Sequence, residues 1–560
     1  MPQARTSNQT STTGRQSART PAKPAAAKPA GAKPAAQEPA GQAPAAPAQP
    51  AARSAARPAA ARSARRTAAK PAGRAAPKPL TPGGSSIRAG RLGAEEAEPL
   101  TPAQRAALGK AARAAVPRTS HAAFDPPASR PDPVALLEEQ AVSRLPDLIP
   151  LRYGRMLASA FSYFRGAALP MAADLARTPV TGLTVQACGD AHLSNFGLYA
   201  SPERKLLFDV NDFDETLPGP WEWDVKRLAA SLEVAARDNG FARKDRRQIV
   251  LAGVGQYRLM MRQLAGLSNL GVWYTDVNIE EFRREFAAQM TSRQLKTIDK
   301  IMVKARGHDS RQALGKLAAV QDGKMRIVAD PPLVVPLTDL LPEQMDRAGI
   351  ETQLRALVGQ YRGTLQSDRR VLLEQFDFTD MARKVVGVGS VGTRCWIILL
   401  LGRDESDPLF LQVKEAQPSV LARYAGASKY SNQGERVVAG QRLMQAASDI
   451  FLGWQRTTGL DGQYRDFYIR QLRDWKFSFP IEAMIPHGLR IYAQICGHAL
   501  ARAHARSGDR IAIASYLGGS DVFDRAVADF AEAYADQNQR DYEALAAAAA
   551  SGRITAEHGV

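Results

Sequence analysis

The sequence predicts an α+β fold that follows a disordered N-terminal tail. Three observations support this prediction: the first stretch is nearly free of large apolar side chains, helical apolar spacing dominates the rest of the chain, and strand-like runs interrupt the helices in two places. The expected segments are a tail over 1–100, a helical lead-in with two polar turns over 101–240, a helical segment over 241–380, a sheet over 381–480 and closing helices over 481–560.

The tail consists almost entirely of Ala, Pro, Gly, Ser, Thr, Gln, Lys and Arg, with fragments such as "PAAAKPAGAKPA". Such a composition cannot bury enough apolar surface to offset the entropy of ordering, which predicts disorder. Through Ala94 the chain has 16 Lys and Arg residues and one acidic residue, Glu38, so most of the formal net charge of +18 lies here. This charge favours nonspecific binding to nucleic acid. A purely solubilising tail is the alternative.

The cysteine and hydropathy patterns exclude several classes of protein. Cys188, Cys395 and Cys496 are far apart and form no CxxC pair, which indicates neither a disulfide framework nor a zinc knuckle. The first residues lack the apolar region of a signal peptide, and the longest apolar run, "CWIILLL", is too short to span a bilayer. We therefore expect a cytoplasmic protein without membrane contact.

The elements around the polar turns follow from the spacing of apolar residues. "RMLASAFSYFRGAALPMAADLA" has apolar side chains at helical spacing, and the strand-like runs "LTVQAC" and "KLLFDV" come after it. The Pro and Gly residues of "DFDETLPGPWEWD" predict a loop. Asp224 is the expected N-cap of the next helix, "VKRLAASLEVAAR".

The two polar turns form the first candidate site. "CGDAHLSNFG", residues 188–197, places Asp190 and Asn195 between apolar runs, and "NDFDE" places Asp212 and Asp214 after the next strand. Mg²⁺ prefers carboxylate and carboxamide oxygens, which Asn195 and Asp212 would supply. Asp190 would then orient an attacking hydroxyl and accept its proton, as in phosphoryl transfer. The alternative is that these residues only end and restart strands.

The sheet segment contains the second candidate site. "GVGSVG" places Gly387, Gly389 and Gly392 at the spacing G-x-G-x-x-G between two predicted strands, as in the glycine-rich loop of kinases. Lys414 follows on the strand "PLFLQVKEA", opposite its Leu and Val side chains, where it would hold nucleotide phosphates. Glu435, in the next helix, is its expected partner. A tight hairpin that binds nothing is the alternative for the loop.

These motifs together resemble a known family. The segments "CGDAHLSNFG", "NDFDETLPGPWEWDVKRLAAS", "GVGSVGTR", "LQVKEA", "RVVAGQRLMQAASDIFLGW" and "LARAHARSGD" closely resemble the bacterial family called domain of unknown function 2252, over roughly residues 130–545. That family is similar to the protein-kinase-like and aminoglycoside-phosphotransferase-like fold. The resemblance implies a two-lobe α+β fold.

The resemblance also implies roles for individual residues. They are a catalytic-loop aspartate at Asp190, metal ligands at Asn195 and Asp212, and a structural aspartate at Asp224, with Asp209 and Asp214 as second choices for the metal. Cys188 stands where such kinases usually have histidine, and His192 is expected to shape the loop rather than to transfer protons.

The order of the motifs departs from that of kinases. Kinases place the glycine loop and its lysine before the catalytic loop, whereas Gly387 and Lys414 come about 200 residues after Asp190. We therefore predict a circularly permuted kinase-like fold, which is tolerated when the original chain ends lie close together. Two separate domains, with a loop that binds nothing, are the alternative.

These features favour an ATP- and Mg²⁺-dependent phosphotransferase that acts on a hydroxyl of an unknown small-molecule acceptor. The alternatives are a nucleotide-binding pseudoenzyme with a regulatory role and a nucleoid-associated protein that acts through its basic tail. A metal-dependent phosphohydrolase is disfavoured because the remaining histidines form no metal motif. His504 and Asp509 resemble a second catalytic loop, but Ala514 stands where its asparagine would be, so a packed helix and a turn are expected.

Overall fold

The computed structural model describes residues 99–289, 291–341, 347–459, 462–472 and 474–559. All of these residues lie in one unit of the chain, Leu80–Val560. The predicted disordered tail lies outside the described residues up to position 98. Helices and strands together form the mixed α+β fold that the sequence predicts.

The lead-in is helical, as predicted. Thr101 begins the first helix with a capping box, in which its side chain accepts from Gln104 N and the Gln104 side chain accepts from Thr101 N. Ser159 begins the fourth helix by accepting from Ser162 N. The helices are α1 (Pro102–Ala115), α2 (Pro133–Ala141), α3 (Ile149–Met156), α4 (Ala160–Gly166) and α5 (Ala168–Leu175).

Two short antiparallel pairs and a long helix surround the polar turns. The strands are β1 (Thr184–Ala187), β2 (Phe196–Ala200), β3 (Leu206–Val210) and β4 (Leu217–Pro220), with β1 paired to β4 and β2 to β3. The helix α6 (Trp221–Asp238) begins directly after β4. The loop predicted over 212–224 therefore contains a strand, because residues 217–220 pair with the backbone of β1. The N-cap prediction for Asp224 is also wrong, since Pro220 occupies the N-cap and Asp224 lies in the first turn.

The segment 241–380 is more mixed than the predicted run of helices. Its helices are α7 (Arg243–Ala265), α8 (Asn269–Tyr274), α9 (Ile279–Phe286), α10 (Ser292–Arg306), α11 (Ser310–Leu317), α12 (Leu337–Leu340), α13 (Arg347–Arg362) and α14 (Ser367–Leu373). It also contains the hairpin of β5 (Ala318–Gln321) and β6 (Lys324–Ile327), and the strand β7 (Val334–Pro336). The hairpin turns at Asp322 and Gly323, both with positive φ, which is a signal that the sequence already contained.

A six-stranded antiparallel sheet contains the second candidate site. Across the sheet the strands are β11 (Gly453–Thr458), β12 (Tyr464–Gln471), β10 (Pro408–Ala416), β9 (Cys395–Leu401), β8 (Asp377–Lys384) and β7. The glycine motif joins β8 to β9, as predicted. The helices α15 (Ala422–Ala425) and α16 (Gln433–Met444) lie between β10 and β11 in the chain.

The two faces of β10 pack against different parts of the chain. Leu409 and Leu411 belong to an apolar cluster with Tyr361 of α13 on one face. Phe410 belongs to a second cluster with Ala313 of α11 on the other face. This alternation follows the predicted strand pattern and places Lys414 on the Phe410 face.

The C-terminal helices complete the main core. They are α17 (Pro486–Ser507), α18 (Arg510–Leu517) and α19 (Val522–Ala550), and α17 packs along α7. The end of α17 meets β1, where Gln186 N donates to Ser507 Oγ at 3.1 Å. Asp509 caps α18 through Ile511 N, so "ALARAHARSGD" forms a packed helix followed by a turn, as predicted. Within the described ranges, every helix is too short or too polar to cross a membrane.

Candidate functional site

A cleft brings the two predicted sites together. Its walls are the turn between β1 and β2, the turn between β3 and β4, the glycine loop between β8 and β9, and the end of β10. The predicted site residues that line it are Asp190, His192, Asn195, Asp212, Asp214, Gly387 and Gly389. Residues from distant parts of the chain therefore face a common space.

Asp190 is held in place by an arginine of α6. Arg227 Nε donates to Asp190 Oδ1 at 2.5 Å, and Arg227 Nη2 contacts the same oxygen. The guanidinium is buried, donates to Phe164 O at 3.2 Å and lies over the Phe164 ring. Because Oδ1 forms this ion pair, Oδ2 is the oxygen of Asp190 that is available to accept a hydroxyl proton.

His192 and Asn195 support the same turn. His192 Nε2 lies 3.7 Å from Asp190 Oδ2. Burial lowers the pKa of His192 to about 4, against the attraction of Asp190, so the imidazole is neutral at pH 7. Asn195 Nδ2 donates to Asp190 O at 2.7 Å, and Asn211 N donates to Asn195 O at 2.7 Å. These bonds close the turn against the end of β3.

Asp224 fixes the backbone that leads to Asp190. Its carboxylate accepts from Cys188 N at 2.6 Å and from Gly189 N at 2.9 Å. His504 Nε2 lies 3.1 Å from the same carboxylate, and Tyr257 OH lies 2.9 Å from His504 Nδ1. All of these groups are buried. Asp224 therefore has the contacts of a structural residue, and His504 of "LARAHARSGD" takes part in them.

Lys414 bridges the sheet and the acidic turn. Its Nζ lies 2.6 Å from Asp214 Oδ2 and 3.4 Å from Asp212 Oδ2. Tyr468 OH, on the strand beside β10, donates to Asp214 Oδ1 at 2.6 Å. The expected pairing of Lys414 with Glu435 is wrong: among the ion pairs of the described residues, Lys414 contacts Asp212 and Asp214.

The helix that was expected to supply the lysine partner directs an arginine to the turn instead. In α16, Arg436 is buried and donates to Thr216 O at 2.6 Å and to Asp214 O at 2.8 Å. Glu435 is its neighbour in the first turn of this helix. Consecutive helical residues point about 100° apart, so the two side chains cannot both face the turn.

Nearby cations determine the ionisation of the acidic turn. Burial alone would raise the pKa of Asp212, but Lys414, Arg470 and Lys476 outweigh it and hold that pKa well below its ordinary value. Burial also opposes the charge on Lys414, whereas Asp212 and Asp214 raise its pKa well above the ordinary value. Lys414 and Asp212 are therefore both charged at neutral pH.

Asn195 and Asp212 fit the donor set that Mg²⁺ prefers. The amide nitrogen of Asn195 is engaged with Asp190 O, which leaves the amide oxygen for a cation. The Asp212 side chain is 31 % exposed and lines the cleft. Mg²⁺ commonly takes one or two protein oxygens and completes its shell with water and substrate phosphates. No group of three or more His, Cys, Asp or Glu residues in the described ranges is arranged to hold a metal by itself.

The two second choices for the metal are engaged elsewhere. Asp214 accepts from Lys414 Nζ and Tyr468 OH, so both of its oxygens have donors. Asp209 is 1 % exposed, pairs with Arg502 in the core and does not line the cleft. Asp212 is therefore the aspartate of this turn best placed to bind a cation.

The glycine loop lies against the acidic turn. Gly387 and Gly392 have φ values of +66° and +87°, a region that glycine adopts without strain. Ser390 Oγ donates to Asp214 Oδ2 at 3.3 Å. The loop is thereby joined to the turn that also contacts Lys414.

Several residues of the site could not be recognised in the sequence. Arg144, Arg165 and Ser390 line the cleft. Arg227 and Tyr468 lie behind it and contact Asp190 and Asp214. Arg227 had a usable signal, since it lies one helical turn after Asp224. Tyr468 lies directly opposite Lys414 in the pairing of β10 with β12, which only the strand register reveals. Arg144 lies in the turn after α2 and Arg165 in α4, and neither segment has a motif.

Comparison with known proteins identifies the family. The model of the family described as "Uncharacterized protein conserved in bacteria (DUF2252)" matches residues 144–548. The match covers more than half of the chain, and the chain belongs to this family. No curated protein and no solved structure matches it significantly.

Proposed function

We propose that the protein is an ATP- and Mg²⁺-dependent phosphotransferase that acts on a hydroxyl group of a small-molecule acceptor. The observation that carries the proposal is the contact of Lys414 with Asp212 and Asp214, two aspartates that line a cleft together with Asp190 and the glycine loop. Kinases use the same groups: a glycine-rich loop, a strand lysine, a metal-binding aspartate and asparagine, and a catalytic aspartate.

The order of elements in the sheet supports a kinase-like arrangement. The glycine loop joins β8 to β9, Lys414 lies on the next strand, and α16 follows before β11 and β12 return to the sheet. In kinases the loop, the lysine strand and a helix follow one another in this order. One difference concerns the lysine partner, since kinases use a glutamate of that helix and Asp214 takes this role in our proposal.

The position of α17 supports the proposed circular permutation. Its last residue, Ser507, accepts a hydrogen bond from Gln186 N of β1, the strand that leads into the Asp190 turn. If the chain ran from Ser507 directly into β1, the six-stranded sheet with Lys414 would come first and the turn with Asp190 second, which is the order of these parts in kinases. Such rearrangements are tolerated when the joined ends lie side by side.

The proposed reaction transfers the terminal phosphoryl group of ATP to an acceptor hydroxyl. The bond from the γ-phosphorus to the bridging oxygen breaks, a bond from the acceptor oxygen forms, and ADP leaves. Asp190 Oδ2 accepts the hydroxyl proton while Arg227 holds the carboxylate through Oδ1. Asn195 and Asp212 would hold Mg²⁺, which neutralises charge on the phosphate oxygens when bound.

The nucleotide base binds, in this proposal, away from the covered face of the sheet. Phe410 lies on the same face of β10 as Lys414 and packs against α11, so this part of the face is covered. Elsewhere the cleft is lined by the apolar side chains of Ala168, Pro418 and Val420. Apolar walls with a few polar groups suit a flat aromatic base.

Phosphoryl transfer to water tests the chemistry without knowledge of the acceptor. Purified protein is incubated with ATP labelled in the γ-phosphate, with and without Mg²⁺, and released phosphate is measured. We expect Mg²⁺-dependent release that falls by about 100-fold in Asp190→Asn. Asp529→Asn, at a surface ion pair with Arg247, is the matched control and should leave release unchanged. Nucleotide binding without any release would favour the pseudoenzyme alternative.

The basic tail supports a second, separate proposal. Its 16 Lys and Arg residues, against one acidic residue through Ala94, favour salt-dependent, nonspecific binding to nucleic acid. A variant that lacks residues 1–94 should lose DNA binding at low salt and keep the ATP chemistry. Equal DNA binding by both chains would contradict a role for the tail.

A further inference from the structure

An unpaired arginine lies beside Asp190 in the cleft. Arg165, on α4, lines the cleft, and its Nε is buried without a hydrogen-bond partner. In the described part of the chain, no hydrogen bond or ion pair engages the rest of its guanidinium. Burial lowers the pKa of Arg165, and the carboxylates of Asp190 and Glu482 act on its charge only from beyond ion-pair distance.

A second arginine borders the cleft on the side of the glycine loop. Arg144, in the turn after α2, is 8 % exposed, lines the cleft and donates to Val391 O of the loop. Its Nε is also buried without a partner. Burial lowers the pKa of Arg144 to about 10, against the attraction of Glu215, so the group remains charged at neutral pH. Two guanidinium groups from the lead-in thus reach one cleft.

The cleft needs these cations because Lys414 is already neutralised. The Lys414 side chain is 3 % exposed, and its Nζ contacts Asp212 and Asp214. A triphosphate brings several negative charges to a wall that already contains these two carboxylates and Asp190, and Lys414 and Arg227 supply only two positive charges for the three. Like charges this close repel strongly in a poorly solvated site, so a bound triphosphate requires positive charge from the protein in addition to any Mg²⁺.

We propose that Arg165 and Arg144 form a phosphate-binding pair that contacts the oxygens of a triphosphate. Arg165 is only partly exposed, and a guanidinium that is shielded from water and lacks an anionic partner gains free energy when an anion arrives. The guanidinium fork suits phosphate because two parallel N–H groups can donate to two oxygens. The inference rests on the proposed function for the identity of the ligand as ATP, whereas the binding of the phosphate chain does not require transfer.

Calorimetric titration with inorganic tripolyphosphate tests the pair without the base. The full chain is compared with Arg165→Gln, Arg144→Gln and Arg177→Gln. Arg177 follows α5 and is exposed, so its substitution removes the same charge outside the cleft. The basic tail is present in every variant, and moderate salt suppresses its nonspecific contribution.

We expect Arg165→Gln to weaken tripolyphosphate binding by about 10- to 100-fold, as for the loss of a charged hydrogen bond, with Arg177→Gln equal to wild type. Arg165→Gln should also keep or raise the thermal midpoint, since it removes a partly buried charge that has no partner. If Arg165→Gln fails to fold, Arg165→Lys, which keeps the charge, is tested in its place, and an intermediate loss of tripolyphosphate affinity is expected. Unaltered tripolyphosphate affinity in these variants would overturn the inference, whether or not their stability falls.

A parallel titration with Mg²⁺ and ATP separates this inference from the proposed function. If substitution of Arg165 does not change tripolyphosphate affinity while substitution of Lys414 weakens ATP binding, the proposed phosphate-binding role of the arginines is wrong and the phosphotransferase proposal stands. If tripolyphosphate binding depends on Arg165 but ATP does not bind, the phosphate site stands and the ATP function fails.

Discussion

Lys414 Nζ lies 2.6 Å from Asp214 Oδ2, although the two residues are 200 positions apart in the chain. The lysine belongs to β10 and the aspartate to the turn after β3, so this ion pair joins the sheet to the part of the fold that contains Asp190. Tyr468 OH contacts the same carboxylate. The pair is therefore expected to matter both for the stability of the fold and for the binding of nucleotide.

Substitution of Lys414 by methionine should destabilise the protein by about 2 kcal/mol, because it leaves two neighbouring carboxylates without their cation. Chemical denaturation measures the change in the free energy of unfolding. Adding Asp214→Asn to this variant should recover part of the loss, since one of the two charges is removed. Lys205→Met is the control, because Lys205 pairs with Asp276 at 3.9 Å on the surface and should cost less than about 1 kcal/mol. Equal effects of the two lysine variants would contradict the bridging role.

Replacement of Asp224 by asparagine should cost about 3 kcal/mol. The carboxylate accepts from two backbone N–H groups and contacts His504, and an amide can accept at only one of its two positions. Thermal or denaturant unfolding measures the change. Asp529→Asn, at an ion pair in which the aspartate is 51 % exposed, should change stability by less than about 1 kcal/mol. A similarly small effect at Asp224 would show that the turn does not depend on this carboxylate.

The stability of the protein should depend on pH through His192. Burial lowers its folded pKa to about 4 from an unfolded value of 6.5, so the neutral form is favoured in the folded state. This contribution is complete above pH 6.5 and is lost as the pH falls towards 4. Between pH 7 and pH 5, His192→Gln should therefore lose about 2 kcal/mol less stability than wild type. Denaturant unfolding at pH 7 and pH 5 measures the loss of stability in each protein. Identical losses in the two proteins would mean that protonation of His192 does not destabilise the folded state.

A bulky residue at Ala168 should block the nucleotide base and spare the phosphates. Ala168 is the first residue of α5 and lines the cleft beside Pro418 and Val420. Ala168→Trp is expected to weaken ATP binding by about tenfold or more and to leave tripolyphosphate binding unchanged. Ala176→Trp, at the exposed end of the same helix, is the control. Weakening of both ligands would indicate a general disturbance of the cleft instead.

The local parts of the candidate site could be predicted from the sequence. The glycine spacing between two strands, the alternation that turns Lys414 away from Leu409 and Leu411, and the polar turn that contains Asp190 each depend on a few consecutive residues. Such patterns can be predicted because they depend on the local geometry of the backbone. That these parts line one cleft depends on the whole fold, and in the sequence only the family resemblance indicates it.

The contacts between distant segments could not be predicted in this way. The choice of Asp214 over Glu435 as partner of Lys414 depends on how α16 is rotated against the turn. The start of α6 before Asp224 depends on the pairing of β4 with β1. Arg165 comes from a helix whose sequence has no motif, and its place in the cleft depends on how that helix packs against its neighbours.

Isothermal titration with ATP, with and without Mg²⁺, tests the central claim most directly when wild type is compared with Lys414→Ala and Asp212→Ala. The proposed phosphotransferase function predicts ATP binding that Mg²⁺ strengthens and that both substitutions weaken, although the two positions are 202 residues apart in the chain. Absence of binding of any adenine or guanine nucleotide to the folded wild-type protein would contradict it, and the glycine loop would then be a hairpin without a ligand.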